Sequence, residues 1–414
     1  MRILQLSNHK ELRKLMQDIK VDPYGIEIML PKAVSHLVRI NSISCITANI
    51  LKQEMLSLGG DVAVARDALT GKARKTDCLL MATLSQFNRL AEKLNRQPFG
   101  LGRLAHDLSD SIANYQKDEF NLNLGRYKLA LGQDRTYIMG IVNLAPDSFS
   151  GDGLYKGQSP TGGGAPNHQI GLGAYVDRVV DFLEKMVDDG ADIVDIGGES
   201  TRPGAKPISA KEELQRTIPV IKKIAKIIKV PISIDTCKPE VARHALDNGA
   251  VIVNDITGLR NNKMAKIISK SKAGVVLMHM KGNPRTMQNN PVYKSLIDEI
   301  IEYLDRAISG AVAWGIDRER IIVDPGIGFG KTLEHNLEIL KRLKEFKILG
   351  RPLLVGPSRK TFLGKILDVG PKARIFGTVS ACVSAVRNGA NIVRVHDVKA
   401  VKQALKVTDA ILNC

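Results

Sequence analysis

The chain has 414 residues, 44% of them hydrophobic and 25% charged, a length that suits one large domain with an addition or two to three ordinary domains. That composition excludes a wholly disordered or collagen-like chain, and without a run of 18 or more apolar residues a membrane-spanning helix is not expected. Lys and Arg number 60 against 43 Asp and Glu, and the net +17 divides into +6 over residues 1–135 and +11 beyond, with no long basic block and only 4% aromatics; this argues against nucleic acid as the partner and leaves a solvated surface or an anionic small substrate as the readings.

In chain order, Arg2–Leu6 and Tyr24–Met29 read as strands, and Ala33–Leu56 has helical spacing. Asp77–Thr83 (DCLLMAT) reads as a strand before a helix over Leu84–Leu94, and Gly100–Gly102 as a turn before a helix over Leu101–Tyr115. Residues 116–135 are expected to form a strand-like connector. Residues 1–135 therefore read as a small N-terminal α/β or α+β domain. It carries no catalytic constellation and is a candidate partner-binding or oligomerisation module. The opening MRILQLSNHKELRKL lacks the layout of a signal peptide. Cys45, Cys78, Cys237, Cys382 and Cys414 form no CxxC pair, so neither a disulfide framework nor a structural zinc site is expected, and the chain reads as cytoplasmic.

From residue 136 short runs rich in Val, Ile and Leu alternate with amphipathic stretches. The runs are Thr136–Asn143, Ala191–Gly198, Val230–Thr236, Val251–Thr257, Gly274–Met280, Arg320–Gly326, Pro352–Ser358 and Asn391–Asp397. Their near-continuous hydrophobicity predicts strands of a parallel sheet buried on both faces. Stretches such as Lys211–Lys229 and Val292–Trp314 predict helices between them, and Gly190, Gly249, Gly315 and Gly389 stand where helix C-caps are expected. Eight β-α units over residues 136–414 predict a TIM (β/α)8 barrel. The rival is a doubly wound open sheet, but the first strand is followed by NLAPDSFSGDG rather than by GxGxxG. A long Gly-rich loop follows Phe149, at the end of a barrel where active-site loops gather.

Every predicted strand end carries polar residues. Asp235, Asn254, Asp324 and Lys360 offer two carboxylates, an amide and an ammonium. That donor and acceptor set suits a flat heterocycle with amino and ring N–H groups, such as a pterin or guanine. Asn143, Arg202, Arg394 and His396 suit a phosphate or pyrophosphate, and the Asn143 oxygen is a candidate Mg²⁺ ligand. Simpler roles exist for several of these. Asp235, Asn254 and Asp324 could cap helices or turns, and Arg359 with Lys360 could be a solvated pair. His279 reads as a satisfied core or supporting histidine, and Cys237 as a small loop residue.

Eight stretches in order, MGIVNLAPDSFS, ADIVDIGGESTRPGA, ISIDTCKPEVARHAL, VIVNDITGL, VVLMHMKGNPRTMQ, IIVDPGIGFGKTLEHN, LLVGPSRKTFLG and IVRVHDV, closely resemble the dihydropteroate synthase family. The resemblance covers residues from about 136 to 414. It implies a TIM barrel that condenses 7,8-dihydropterin pyrophosphate with p-aminobenzoate, releasing pyrophosphate, in folate biosynthesis. It implies that Asp235, Asn254, Asp324 and Lys360 hold the pterin, with Asp324, Lys360 and Asp235 as the catalytic set. Asn143, Arg394 and His396 would hold the pyrophosphate, with Asn143 on Mg²⁺. Thr201, Arg202, Pro203, Phe329 and Ser358 would surround p-aminobenzoate, Ser358 from a helix start. A homodimer is implied as well.

The sequence departs from the family pattern at Ala145, Gly151, Asp152, Cys237 and Pro357, so the roles of the first loop do not carry over. The acceptor could be free p-aminobenzoate or a modified arylamine. A second pterin-holding barrel, the methyltransferases that pass a methyl group from methyltetrahydrofolate to a corrinoid protein, would share the Asp and Asn residues but need no pyrophosphate site. Arg394, His396 and the Ser358–Lys360 stretch favour the synthase.

Overall fold

The computed structural model describes residues 1–4, 9–98, 100–132, 134–144, 172–200 and 206–414. They form two compact units, residues 1–113 and 114–414. The division falls inside the helix Leu101–Gln116, not at the 135/136 boundary read from the sequence.

The first unit holds a three-stranded antiparallel sheet in the order β1 (Ser35–Ser44), β3 (Lys75–Thr83), β2 (Asp61–Val64). Helices Cys45–Ser57, Leu84–Asn95 and Leu101–Gln116 cover it through Leu51, Met55, Phe87, Leu90, Leu94 and Leu108. The strand at Asp77–Thr83 and the two helices after it lie where the pattern placed them.

Two readings are corrected here. Tyr24–Met29 is not a strand but part of the helix Pro23–Ala33. Asp22 caps that helix by accepting from the Tyr24 and Gly25 amides, and Pro23 takes the first turn, where its missing N–H costs nothing. Ala33–Leu56 is not one helix but β1 followed by a helix. Alternating half-buried Val38 and Ile40 pair with β3, and Ser44 then caps Cys45–Ser57 by accepting from the Thr47 amide. Helix His9–Asp18 and strand β2 had no counterpart in the reading, and Arg2–Leu6 lies partly outside the described residues.

The second unit begins with an antiparallel hairpin, β4 (Phe120–Leu124) and β5 (Tyr127–Leu131). Eight parallel strands follow: β6 (Tyr137–Asn143), β7 (Ile193–Gly197), β8 (Ile232–Asp235), β9 (Ile252–Asp255), β10 (Gly274–Met278), β11 (Ile321–Asp324), β12 (Leu354–Val355) and β13 (Ile392–Val395). They run in the order β11-β10-β9-β8-β7-β6-β13-β12, and a parallel bridge from Val323 to Leu353 joins the two ends. The expected TIM barrel is what forms. Gly190, Gly249, Gly315 and Gly389 all have positive φ before a strand, as helix C-cap glycines do. Among the described residues no helix is long and apolar enough to cross a membrane.

Side chains alternate across each barrel strand. One set, including Ile138, Val194, Ile234, Val253, Leu277, Val323 and Val393, packs outward against the helices. The other points inward, and its lower layer is apolar apart from Ser233 of β8: Tyr137, Met139, Ile193, Ile252, Val276, Ile322, Leu354 and Ile392. Phe120, Leu122, Leu124, Leu129 and Leu131 of the hairpin pack into this layer and close the barrel's N-terminal mouth. Gly274 makes room for them, since a Cβ there would come within 2.7 Å of Leu124.

Leu124→Ala should therefore cost about 2–5 kcal/mol of barrel stability, seen as a lower urea midpoint.

Candidate active site

The strand register builds the site. Asn143 of β6 lies opposite Gly197 of β7, Gly197 opposite Asp235 of β8, and Asp235 opposite Asn254 of β9. Across the barrel Met278 of β10 lies opposite Asp324 of β11. The parallel ladder thus sets Asn143, Gly197, Asp235 and Asn254 in one row, and Asp324 likewise stands at the C-terminal end of its strand. Asp235, Asn254 and Asp324 are each less than a tenth exposed.

Arg394 reaches in from β13. Its Nε donates to Asp195 Oδ2 and its Nη2 to Asp235 Oδ2, both at 2.6 Å. Asn254 Nδ2 donates to the same Asp195 oxygen at 3.0 Å. Two buried carboxylates thus share one guanidinium. Burial pushes the Asp235 carboxyl up from the usual carboxylate range and the neighbouring Asp195 charge adds to this, while Arg394 opposes it. Oδ1 of Asp195 and Oδ1 of Asp235 are buried with no protein partner. Such atoms are costly unless a ligand or water satisfies them.

Arg394 was read as a pyrophosphate residue, yet its guanidinium is held within the heterocycle set. Asp195 was not singled out. Its signal was a carboxylate in the middle of an otherwise apolar strand, two residues before Gly197 and so on the same inward face.

Asp324 accepts from the Gly326 amide at 2.7 Å, and burial pushes its carboxyl up to about 6, against that bond and the charge of Lys360. Gly326 has φ +73°, and a Cβ there would come within 1.9 Å of the His279 carbonyl oxygen, so no larger residue fits this turn. The Lys360 ammonium stands 4.1 Å from the centre of the Phe329 ring, a cation–π distance. Phe329 packs with Ile256, Met278, Met280 and Met287 into an apolar wall beside the polar residues. Neither Asp235 nor Asp324 caps a helix: one binds Arg394, the other a turn amide.

Ser358 and His396 meet, although the sequence placed them in different sets. Ser358 Oγ lies 3.0 Å from His396 Nδ1 and accepts from the His396 amide at 3.2 Å. Ser358 is not at a helix start, because the next helix is Thr361–Leu367. Arg359 is not a solvated cation. It forms a fork with Asp397, Nε to Oδ2 at 2.9 Å and Nη2 to Oδ1 at 2.5 Å. Asn143 is half-buried at the end of β6. Among the described residues no three His, Cys, Asp or Glu side chains converge on a metal position. Thr201, Arg202 and Pro203 lie outside the described residues, as do Ala145, Gly151 and Asp152 of the first loop.

His279 is buried, as its apolar neighbourhood suggested. Its Nδ1 lies 2.9 Å from Nζ of Lys331, a second buried cation that the sequence did not reveal. Burial and the adjacent Lys331 charge pull the His279 pKa down to about 2, so the ring is a neutral acceptor.

Compared with known proteins, residues 139–396 match the family of pterin binding enzymes. A dihydropteroate synthase of Synechocystis is 48% identical over 279 residues, 67% of this chain and 90% of that protein. A protein of Halobacterium salinarum named as a bifunctional folylpolyglutamate synthase/dihydropteroate synthase is 37% identical over 401 residues, 97% of this chain and 46% of that protein. Its likeness therefore extends into the first unit. The structure of the Xanthomonas albilineans dihydropteroate synthase with 4-aminobenzoic acid superposes with a TM-score of 0.63 at 37% identity, covering 71% of this chain and 99% of that one.

The low His279 pKa has a consequence for stability. At pH 7.5 folded and unfolded chains both carry a neutral ring. Below about 6.5 the unfolded chain takes up a proton that the folded one refuses until about pH 2, so stability falls as the pH falls through that window. By pH 5 this one residue should cost about 2 kcal/mol. His279→Gln, which keeps an acceptor for Lys331, should lose that much less stability between pH 7.5 and 5 in urea unfolding curves.

Proposed function

Because the chain belongs to the dihydropteroate synthases, a family of pterin-binding enzymes, we propose that its polar layer condenses 7,8-dihydropterin pyrophosphate with p-aminobenzoate, giving 7,8-dihydropteroate and pyrophosphate. The observation that carries this reading is the pair of orphaned carboxylate oxygens on Asp195 and Asp235, set beside Asn254 and Asp324 in a water-poor layer. A pterin edge supplies the N–H groups they lack, while Asn254 and Lys360 serve its ring acceptors.

The departing pyrophosphate lies outward of the ring, towards Asn143, His396 and the edge of the Arg394 guanidinium. A Mg²⁺ ion would sit on the Asn143 oxygen, with pyrophosphate oxygens and waters as its other ligands. The neutral Asn143 oxygen would leave most of the ion's shell to phosphate oxygens and water, as Mg²⁺ favours. The ion would neutralise charge on the leaving group.

As the C–O bond to the pyrophosphate breaks, the pterin methylene becomes cationic. Asp235 and Asp324 lie closest to that ring, and their ionised forms stabilise the positive charge. The aniline nitrogen of p-aminobenzoate then attacks the methylene carbon. It is a weak base, so its placement governs the rate. Phe329 and Pro203 are proposed to flank its ring, Thr201 and Arg202 to lie around the amine, and Ser358 to meet its carboxylate. Ser358 acts with His396, since the two share a hydrogen bond.

A homodimer is proposed as well. Leu337, Ile366, Leu367 and Phe376 are exposed, Phe376 at 84%, on three successive helices after β11 and β12: Leu333–Lys341, Thr361–Leu367 and Ile375–Arg387. An apolar patch of this kind suits burial against a second copy. The five thiols are all free, which suits the reducing cytoplasm proposed as the enzyme's location.

Purified protein given both substrates and Mg²⁺ should release pyrophosphate in step with p-aminobenzoate consumption; no release would reject the reading. Lys360→Ala should lower turnover by about 10²–10³-fold and weaken pterin binding, and wild-type pterin affinity would remove Lys360 from the ring site. Phe376→Glu should yield monomers in sedimentation at concentrations where the wild type is dimeric.

A further inference from the structure

The reaction as proposed gives the buried charge of Lys331, beside the Phe329 turn, no task. Lys331 is 3% exposed and has no carboxylate in contact: its Nζ lies 2.9 Å from His279 Nδ1 and 3.1 Å from the Phe329 carbonyl oxygen. An ammonium taken out of water costs several kcal/mol unless something compensates, and two neutral acceptors are a poor exchange.

The chain path shows what else acts on it. Asp324 and Lys331 bracket the turn DPGIGFGK after β11, with Phe329 between them. The turn is pinned to the end of β10, because the His279 amide donates to the Asp324 carbonyl at 2.9 Å and Gly326 lies against the His279 carbonyl. Lys331 thus reaches the side chain of His279, the residue whose amide binds the Asp324 carbonyl. The ring of Phe329 faces Lys360, while its carbonyl is held by Lys331.

We propose that Lys331 is a positioning residue for the reaction, its buried ammonium fixing the Phe329 turn from behind and holding the Asp324 carboxylate ionised, with neutral His279 as its acceptor. This rests on the assignment of Asp324 to the pterin.

The surrounding charges agree with it. Asp324 favours the Lys331 charge, whereas Lys360 and Lys281 oppose it. Lys281 is paired with Glu299, and Arg260 bonds the Met280 and Gly282 carbonyls and Tyr303. Tyr293 donates to the Gly330 carbonyl and stacks edge-on with His335, and Tyr303 packs edge-on against His279. Burial draws Lys331 down to about 7 and Asp324 up to about 6, and each charge opposes the other's shift. Between those two values the pair therefore mainly carries one charge of each sign. Removing Lys331's charge raises the Asp324 pKa, so pterin binding fails at a higher pH.

The test uses Lys331→Met, which keeps the length of the side chain, and Lys331→Gln, which keeps an amide donor for Phe329 but no charge. Folding is checked by thermal unfolding, and either variant that folds suffices. For each, kcat/KM for the pterin pyrophosphate is followed from pH 5 to 9. We expect the acidic limb to move up by about one pH unit, with a KM for the pterin substrate about fivefold higher at pH 6, little changed at pH 8.5, and an unchanged KM for p-aminobenzoate. A turn merely loosened by the substitution would weaken activity at every pH without moving the limb, and that result overturns the proposal. Asp324→Asn separates the two claims. If it binds pterin as the wild type does, the assignment of Asp324 falls; if it loses pterin while the Lys331 variants keep the wild-type limb, only the role of Lys331 falls.

Discussion

The polar layer of this barrel exists because the layer beneath it is dry. Eight inward apolar side chains from the strands and five from the β4–β5 hairpin fill the N-terminal half, with Ser233 as a buried polar member. On that floor the parallel register sets Asn143, Asp235 and Asn254 side by side. The low-dielectric base strengthens every charge interaction above it. It explains why Asp235 and Asp324 are both pushed upward, and why one guanidinium is drawn between two carboxylates. A wetter floor would leave these groups as ordinary surface charges with little hold on a heterocycle.

The same geometry blurs the division between ring-holding and phosphate-holding residues. Arg394 projects from a strand on the far side of β6 from β7, yet its side chain crosses to Asp195 and Asp235. Ser358 and His396 likewise share one hydrogen bond across β12 and β13. Arg394, which the sequence placed with the proposed pyrophosphate residues, is thus joined to carboxylates of the proposed pterin set in one connected array.

The barrel was legible because strands buried on both faces leave continuous Val, Ile and Leu runs, with polar residues at one end of each. The first unit was less so. In PYGIEIML the apolar density suggested a strand, while the stronger signal was Asp-Pro at a helix start. In VSHLVRINSIS the apolar residues fit two periods at once, and pairing with β3 decided between them. The domain boundary was misplaced because the hairpin FNLNLGRYKLAL shows period-two alternation but not what its apolar face meets. Asp195 and Lys331 escaped notice for a related reason: Arg394 is 199 residues from Asp195, and His279 is 52 from Lys331. Spacing along a chain carries no trace of such pairs unless a motif names them.

The hairpin also orders the protein's birth. Its apolar face is complete by Leu131, but the floor it belongs to lacks a member until Ile392 is made. At about 5–20 residues per second, the ribosome takes roughly 13–50 s to span that interval. Thr136, just after the hairpin, is held still later, by Asp409. For that time the nascent chain carries an incompletely covered apolar ribbon, and the growing sheet has open edges at β6 and at its newest strand. The last-made strand is therefore the one that turns a sticky intermediate into a closed vessel, and a chain cut short before it would be a natural client for chaperones.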